Sequence, residues 1–378
     1  MSIKPKILVT SAAGNTGIPT TLQLLEKGFP VRAFVHREDH RSKQLRDAGA
    51  EIFVGNQYSV SDMRSAMDGI QRAYHCAPSA PNALHFGTVF ATAAKAAELE
   101  HVVMMGQWLS HSDHPSVLTR EVWLNEEVLK LLPDTTLTVN NVGWFAENYF
   151  WVLEPMAQLG ILPMSLGDGD VKKNAPPSNE DIAAVNVAAL IDPSAHAGRT
   201  YRPTGPELLS PNEIAAIMGQ VLGRKVKYRD IPEAMLLKAL KSQGFPEAMP
   251  TQLRLYADEY RRGSFAVNAP TKVVKALTGR EPEDFETIAR RVVAARPEAV
   301  RSVGNRLTAI RNFMKIALAA KVDADEIERR RDHVLLKSPT FVRDSEAWRE
   351  THDPAAGYIP DQPRGIANTV SLSPKLVA

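Results

Sequence analysis

The chain of 378 residues is short of several things. It has one cysteine, Cys76, so no internal disulfide can form and a disulfide-stapled secreted scaffold is excluded. It has almost no charge excess. Lys and Arg number 45 against 43 Asp and Glu, and a net charge of +2 gives no general reason to expect nucleic acid as a partner. No apolar run approaches the ~18 residues that a membrane-spanning helix needs. The first such run, from Ile7, is too short for a signal-peptide core, and the expectation is a soluble, cytoplasmic protein. There is no internal repeat. What is present is a globular mixture, 44% hydrophobic and 23% charged, which excludes a disordered chain or a coiled-coil rod and allows about two domains.

The first half alternates short apolar runs with helical patterns. Strands are expected at Ile7–Thr10, Val31–Val35, Ile52–Val54, Ala73–Ala77, His101–Met105 and Leu137–Val142. Helices are expected at Pro19–Lys27, Ser42–Ala48, Val60–Met67 and Phe86–Leu99. The strands are continuously apolar, which fits burial on both faces, and the alternation implies right-handed crossovers. The fold class is therefore α/β, a doubly wound parallel sheet with a smaller, mainly helical region after it. Expected boundaries are 1–155 for the nucleotide-binding part, 156–297 for the substrate side and 298–378 for an extension. Gly167–Pro177 reads as an exposed loop, Asp181–Leu190 and Pro211–Leu222 as helices, Thr200–Arg202 as a strand, and Pro232–Gly263 as mostly helical.

The first strand runs into Ser11-Ala12-Ala13-Gly14-Asn15-Thr16-Gly17, and a helix follows. A pyrophosphate approaches backbone N–H groups only where side chains do not intrude, and the helix start supplies donors and the positive end of a dipole. Gly14 and Gly17 meet that need, while Ser11 stands where a first glycine is usual. The second strand ends Val35-His36-Arg37. A base at that point suits the 2′-phosphate of NADP(H) better than the bare ribose of NAD(H), so NADP(H) is favoured.

These residues resemble the NmrA-like family of atypical short-chain dehydrogenase/reductases over roughly residues 5–295. The glycine turn is similar to the family's TGATGxxG apart from Ser11 and Ala13, and Arg32–Arg37 to its VRALVR strand. Gly55-Asn56 stands where the family has Gly-Asp beside adenine, and Thr138–Asn148 (TVNNVGWFAEN) resembles TILRPGFFMEN. Asp181-Ile182-Ala183, Gly198–Tyr201 and Leu277–Arg280 with Pro282 follow in the family's order. The resemblance implies a Rossmann fold and an NAD(P)H-dependent oxidoreductase. It also has departures. Counted back without gaps from Asn148, the family's Lys falls on Trp123, its Tyr on Thr119, its serine pair on Gly106 and Gln107, and the Arg of LRP on Asn141. A proton then has to come from water or from another group, which suits acceptors such as quinones or cationic dyes. The alternatives are a redox sensor that binds NADP(H) without turnover, or a non-redox lyase or isomerase.

Within this frame Ser11, Gly14, Asn15, Thr16 and Gly17 would hold the pyrophosphate, His36 and Arg37 the ribose end, and Asn56 and Gln57 the adenine. Cys76, Ala77 and Pro78 would line the groove, with Gln107 and Asn141 near the nicotinamide. Cys76 reads as structural, since strand alternation turns His75 to the opposite face. His111 is a candidate general acid beside His114, and no third ligand makes these a metal pair. Trp108, Trp144, Phe145 and Tyr149 are candidates for an aromatic substrate wall, with the Tyr149 phenol as a proton donor; plain core is the other reading of that run.

From Val300 to Lys321 there are five bases and no acid, with Val303, Leu307, Ile310, Met314 and Ala317 at helical spacing. Such a helix packs its stripe on its own domain, on a second copy, or on an anionic membrane surface. Pro339–Ala378 reads as an extended tail.

Overall fold

The structure is a computed structural model that describes residues 4–78, 82–246 and 248–352. Two-layer winding begins at β1 (Ile7–Val9), α1 (Gly17–Glu26), β2 (Val31–Val35), α2 (His40–Asp47), β3 (Glu51–Val54) and α3 (Val60–Met67). It continues with β4 (Arg72–His75), α4 (Ala83–Ala96), β5 (His101–Gln107), α5 (Val117–Lys130) and β6 (Thr136–Val142). A 3-10 turn at Ala146–Val152 leads to α6 (Leu153–Leu159), β7 (Ile161–Met164), α7 (Asn179–Ile191), α8 (Pro193–His196) and β8 (Thr200–Tyr201). Then come α9 (Pro211–Val221), β9 (Lys227–Asp230), α10 (Glu233–Ser242), α11 (Ala248–Arg262), α12 (Val273–Thr278) and α13 (Phe285–Ala295). The chain closes with α14 (Val303–Leu318), α15 (Ala324–Arg330) and α16 (Glu346–His352).

The main sheet runs β3-β2-β1-β4-β5-β6-β8, parallel throughout, so the strand order reverses between β1 and β4. That is a doubly wound Rossmann sheet, and a crevice opens at the strand ends beside the reversal. Alternate side chains feed two cores. Leu8, Phe34, Ala73 and Val102 meet Met63, Phe86 and Phe90 on one face, while Ile7, Val9, Ala33 and Val103 meet Leu24, Leu45 and Leu190 on the other. A third, aromatic core joins Trp144, Tyr149, Phe150, Tyr260, Phe265 and Phe285 around the small parallel pair β7–β9. The second half is thus the mainly helical region that the sequence pattern implies.

Three local readings change. Residues 108–135, where the sequence pattern implies no element, contain α5, capped by Ser116 accepting from Thr119 N–H at 3.3 Å. The loop at Gly167–Pro177 is exposed only in its first half; Asn174 to Pro177 are buried, and Asn174 pairs with Leu209. Residues 340–352 are not an extended tail. Val342 and Trp348 are buried in the aromatic core. The expected tail beyond 352 lies outside the described residues, as does residue 247 of the expected helical stretch.

Candidate functional site

The turn after β1 is built for close backbone approach. A Cβ on Gly17 would lie 2.3 Å from the Ser11 carbonyl oxygen and 2.8 Å from Ala12 Cα, so no side chain fits there. Ser11 takes the left-handed conformation (φ +49°) that glycine ordinarily supplies. Its cost is offset by the hydroxyl, which donates to the Cys76 carbonyl at 2.8 Å and meets Gln57 Oε1 at 3.2 Å. Thr16 precedes α1 but makes no cap, because its hydroxyl bonds the buried Tyr74 phenol at 3.0 Å. The first N–H groups of α1 therefore face the turn without a side-chain acceptor, and no acid lies in its first turn. This arrangement fits a diphosphate.

The turn from β2 into α2 is set by charge pairing. Glu38 is taken by Arg46 (2.5 Å) and Asp39 by Arg41 (2.6 Å), and Asp39 also caps α2. Arg41 reaches the Ala13 carbonyl at 3.2 Å, against the glycine turn. Arg37 and His36 are exposed at the end of β2. Asn56 is exposed after β3, and its backbone N–H donates to Asp62 at 2.8 Å.

From this turn a groove of about 470 Å³ runs along the sheet edge. Ser11, Gly14, Asn15, Thr16, Cys76, Ala77 and Pro78 line one end. Met105, Gly106, Gln107, Val142, Gly143 and Phe145 line its floor. Leu118 and Val122 of α5, Asn148 and Trp151, and Met249, Gln252, Leu253 and Tyr256 of α11 wall the far end. Among the described residues the lining holds no charged side chain. Gln107 Oε1 is buried there without a hydrogen-bond partner, an acceptor that a carboxamide amino group would satisfy. Asn141 crosses over Gly106, where a Cβ would meet Asn141 Oδ1 at 2.1 Å, so the two departures from the family pattern occupy one volume. Burial pushes the Cys76 thiol up, away from the thiolate form that reacts.

At the far end Gln252 donates to Thr119 Oγ1 at 3.1 Å and accepts from the Ser116 hydroxyl. Tyr256 faces Thr119 and Gln252, and burial, the largest influence, raises its pKa far above the ordinary phenol value. A phenol from α11 thus approaches Thr119, the residue on which the family's Tyr position falls. Sequence reasoning foresaw α11 as part of the helical stretch 232–263 but did not bring it to the groove. The only signal was Gln252 and Tyr256 one helical turn apart, in a segment far from the sheet in sequence.

The other candidates are not brought to the groove. Tyr149 is fully buried, its hydroxyl 3.1 Å from that of Tyr260, and its pKa is pushed up to about 12 by burial. His111 is buried after β5, where Asp113 N–H donates to it at 3.2 Å, and burial holds its pKa down at about 4. His114 bonds Glu259 at 3.2 Å. Trp108 lies under Trp348, with the Arg202 guanidinium 3.5 Å from its ring. Trp144 sits in the aromatic core at the edge of a separate small cavity of about 40 Å³. Of the proposed aromatic wall, Phe145 reaches the groove, joined by Trp151. Among the described residues no group of three or more His, Cys, Asp or Glu side chains could hold a metal.

The NmrA-like family model matches residues 3–286. The chain belongs to the NmrA-like family. It is 28% identical over 294 residues to an NAD(P)H azoreductase of Xenophilus azovorans, an alignment covering 76% of this chain and 98% of that one. The NADPH-dependent quinone oxidoreductase of Escherichia coli, solved with NADPH, superposes with a TM-score of 0.65 at 23% identity, over 76% of this chain and 99% of that one. The negative transcriptional regulator NmrA, solved with NADP and also with NAD, gives a TM-score of 0.63 at 20% identity over 77% and 96%. This NmrA-like chain therefore shares its fold with proteins that bind either nucleotide, and its relatives include NAD(P)H-dependent oxidoreductases. No helix among the described residues is long and apolar enough to cross a membrane.

Proposed function

We propose that this NmrA-like protein is an NADPH-dependent reductase of planar, apolar, electron-poor acceptors of the quinone or azo type. The observation that carries the reading is the uncharged groove that joins the glycine turn to a wall of Phe145, Trp151, Met249 and Leu253. A reduced nicotinamide nucleotide, when bound, supplies the hydride. The chain's own task is to position and to exclude water. Gly14 to Gly17 would seat the diphosphate, and Gln107 Oε1 would accept from the carboxamide. Arg37 would meet the 2′-phosphate. Its two acidic neighbours are already paired elsewhere, which supports NADPH over NADH.

Tyr256 supplies a hydrogen bond to the acceptor at the place where the family's Tyr position falls on Thr119. Its raised pKa makes the phenol a neutral hydrogen-bond donor rather than an acid, so the proton itself comes from water. The test is NADPH consumption with a panel of quinones, azo dyes and enones. Turnover with the flat acceptors is expected, and Tyr256→Phe is expected to lower kcat about 100-fold with nucleotide affinity kept. Tight NADPH binding without turnover of any acceptor would favour the sensor reading, which the NmrA regulator's fold also supports.

A further inference from the structure

Helix α14 presents its apolar stripe to solvent. Val303, Leu307 and Leu318 are 78%, 62% and 81% exposed, and Ile310, Phe313 and Met314 are exposed beside them. The opposite face is the one that docks. Ala309 is buried. Asn312 donates to Glu154 of α6 at 3.2 Å, and Asn305 donates to the carbonyls of Pro297 and Val300 at 3.1 and 2.8 Å. Lys238 of α10 reaches the Ala317 carbonyl at 3.1 Å. These bonds hold the polar, small face inward, so the stripe cannot turn to its own domain without breaking them. Of the three readings open for this stripe, packing on the chain's own domain is the one these contacts exclude.

At 100° per residue, Val303, Leu307, Ile310, Met314 and Leu318 form one band, with Arg306 along one flank and Arg311 and Lys315 along the other. Arg301 and Lys321 stand beyond its two ends, and there is no acid from 300 to 321. Arg224 lies close enough to Arg301 and Arg306 for their charges to act on it, which extends the positive field. Glu154, the acid on the docked side, is engaged by Asn312.

We propose that α14 lies in the headgroup layer of an anionic lipid bilayer, with its exposed stripe among the acyl chains and its flanking bases on the lipid phosphates. Charge decides between the occupants. A second copy would set this base-flanked, acid-free band against its own like charges. The segment 353–378 carries two acids, Asp353 and Asp361, against two bases, Arg364 and Lys375, and so brings no net negative charge. An anionic surface satisfies both the apolar stripe and its flanks. This inference stands independently of the groove's chemistry.

The test is co-sedimentation of the full chain with vesicles of phosphatidylcholine alone or with about a third phosphatidylserine. Binding to the anionic vesicles at low salt is expected, with little to the neutral ones. Arg306→Ser and Arg311→Ser are each expected to weaken it about fivefold. Leu307→Asp with Met314→Asp is expected to abolish it. These side chains are exposed, so the variants should melt where the parent does, which separates lost docking from lost folding. Absence of sedimentation at low salt, equal binding to neutral vesicles, or binding that the variants leave unchanged would overturn the proposal. So would a dimer in solution, by light scattering, that Leu307→Asp dissociates.

Discussion

His75 sits in β4 with its ring stacked on Phe86 at 4.9 Å and tilted against Phe90 at 4.3 Å, and neither ring nitrogen finds a partner. Burial holds its pKa at about 3, against 6.5 for the free side chain. Above pH ~6.5 the ring is neutral whether folded or unfolded, and it adds no pH dependence. As pH falls below that, the unfolded chain takes up the proton first, so stability is lost on descending towards pH ~3. His101 and His111, both lowered to about 4 by burial, act in the same sense. His75→Leu is expected to raise the melting temperature at neutral pH, because it removes two unsatisfied polar atoms. It is also expected to flatten the acid branch of a stability–pH profile by one proton; an unchanged slope would contradict this. Residue-scale chemistry was the least legible part of the sequence. Alternation along β4 separates His75 from Cys76, but nothing in the aromatic run at 144–151 distinguishes Tyr149, which faces Tyr260 in the core, from Trp151, which faces the groove.

At the scale of elements, local signals located most strands and helices of the first half. Glycine stops and short apolar runs act over a few residues, so they are visible in the chain itself. One helix escaped, and the role of another did. The pattern of α5 is amphipathic, but it faces both the groove, through Leu118 and Val122, and α4, through Asn125 packed over Gly87. α11 was legible as a helix but not as a wall of the groove, because its inward side carries polar Gln252 and Glu259, whose partners Ser116, Thr119 and His114 are distant in sequence. Pairing of that kind is a tertiary fact. The turn from β2 into α2 is a local one, and it yields a sharp expectation. With Glu38 and Asp39 held by Arg46 and Arg41, Arg37→Ser should weaken NADPH binding about 10- to 100-fold and leave NADH nearly unchanged, by calorimetry. Equal losses for both nucleotides would place the 2′-phosphate elsewhere.

In the whole molecule, the last described segment closes the region after β5. Val342 N–H donates to the buried Glu259 at 2.9 Å, and Thr340 N–H to the Asp113 carbonyl at 2.9 Å. Trp348 donates to the Trp108 carbonyl at 2.9 Å and stacks on His352. Residues 340–352 are therefore part of the aromatic core, and Trp348→Ala should cost about 3–5 kcal/mol in chemical denaturation. A loss near zero would mean that the segment rests on the surface. Composition had suggested a tail there, since a short helix anchored by one tryptophan leaves little periodicity to read.

The central claim is that the bend between β1 and α1 seats a dinucleotide. It is tested most directly by titrating NADPH into the protein and into Gly17→Ala, whose added Cβ has no room beside the Ser11 carbonyl oxygen. Micromolar binding by the parent, weakened at least about tenfold in the variant, is the expected result. No heat of binding by the parent with NADPH or NADH at millimolar concentration would contradict it.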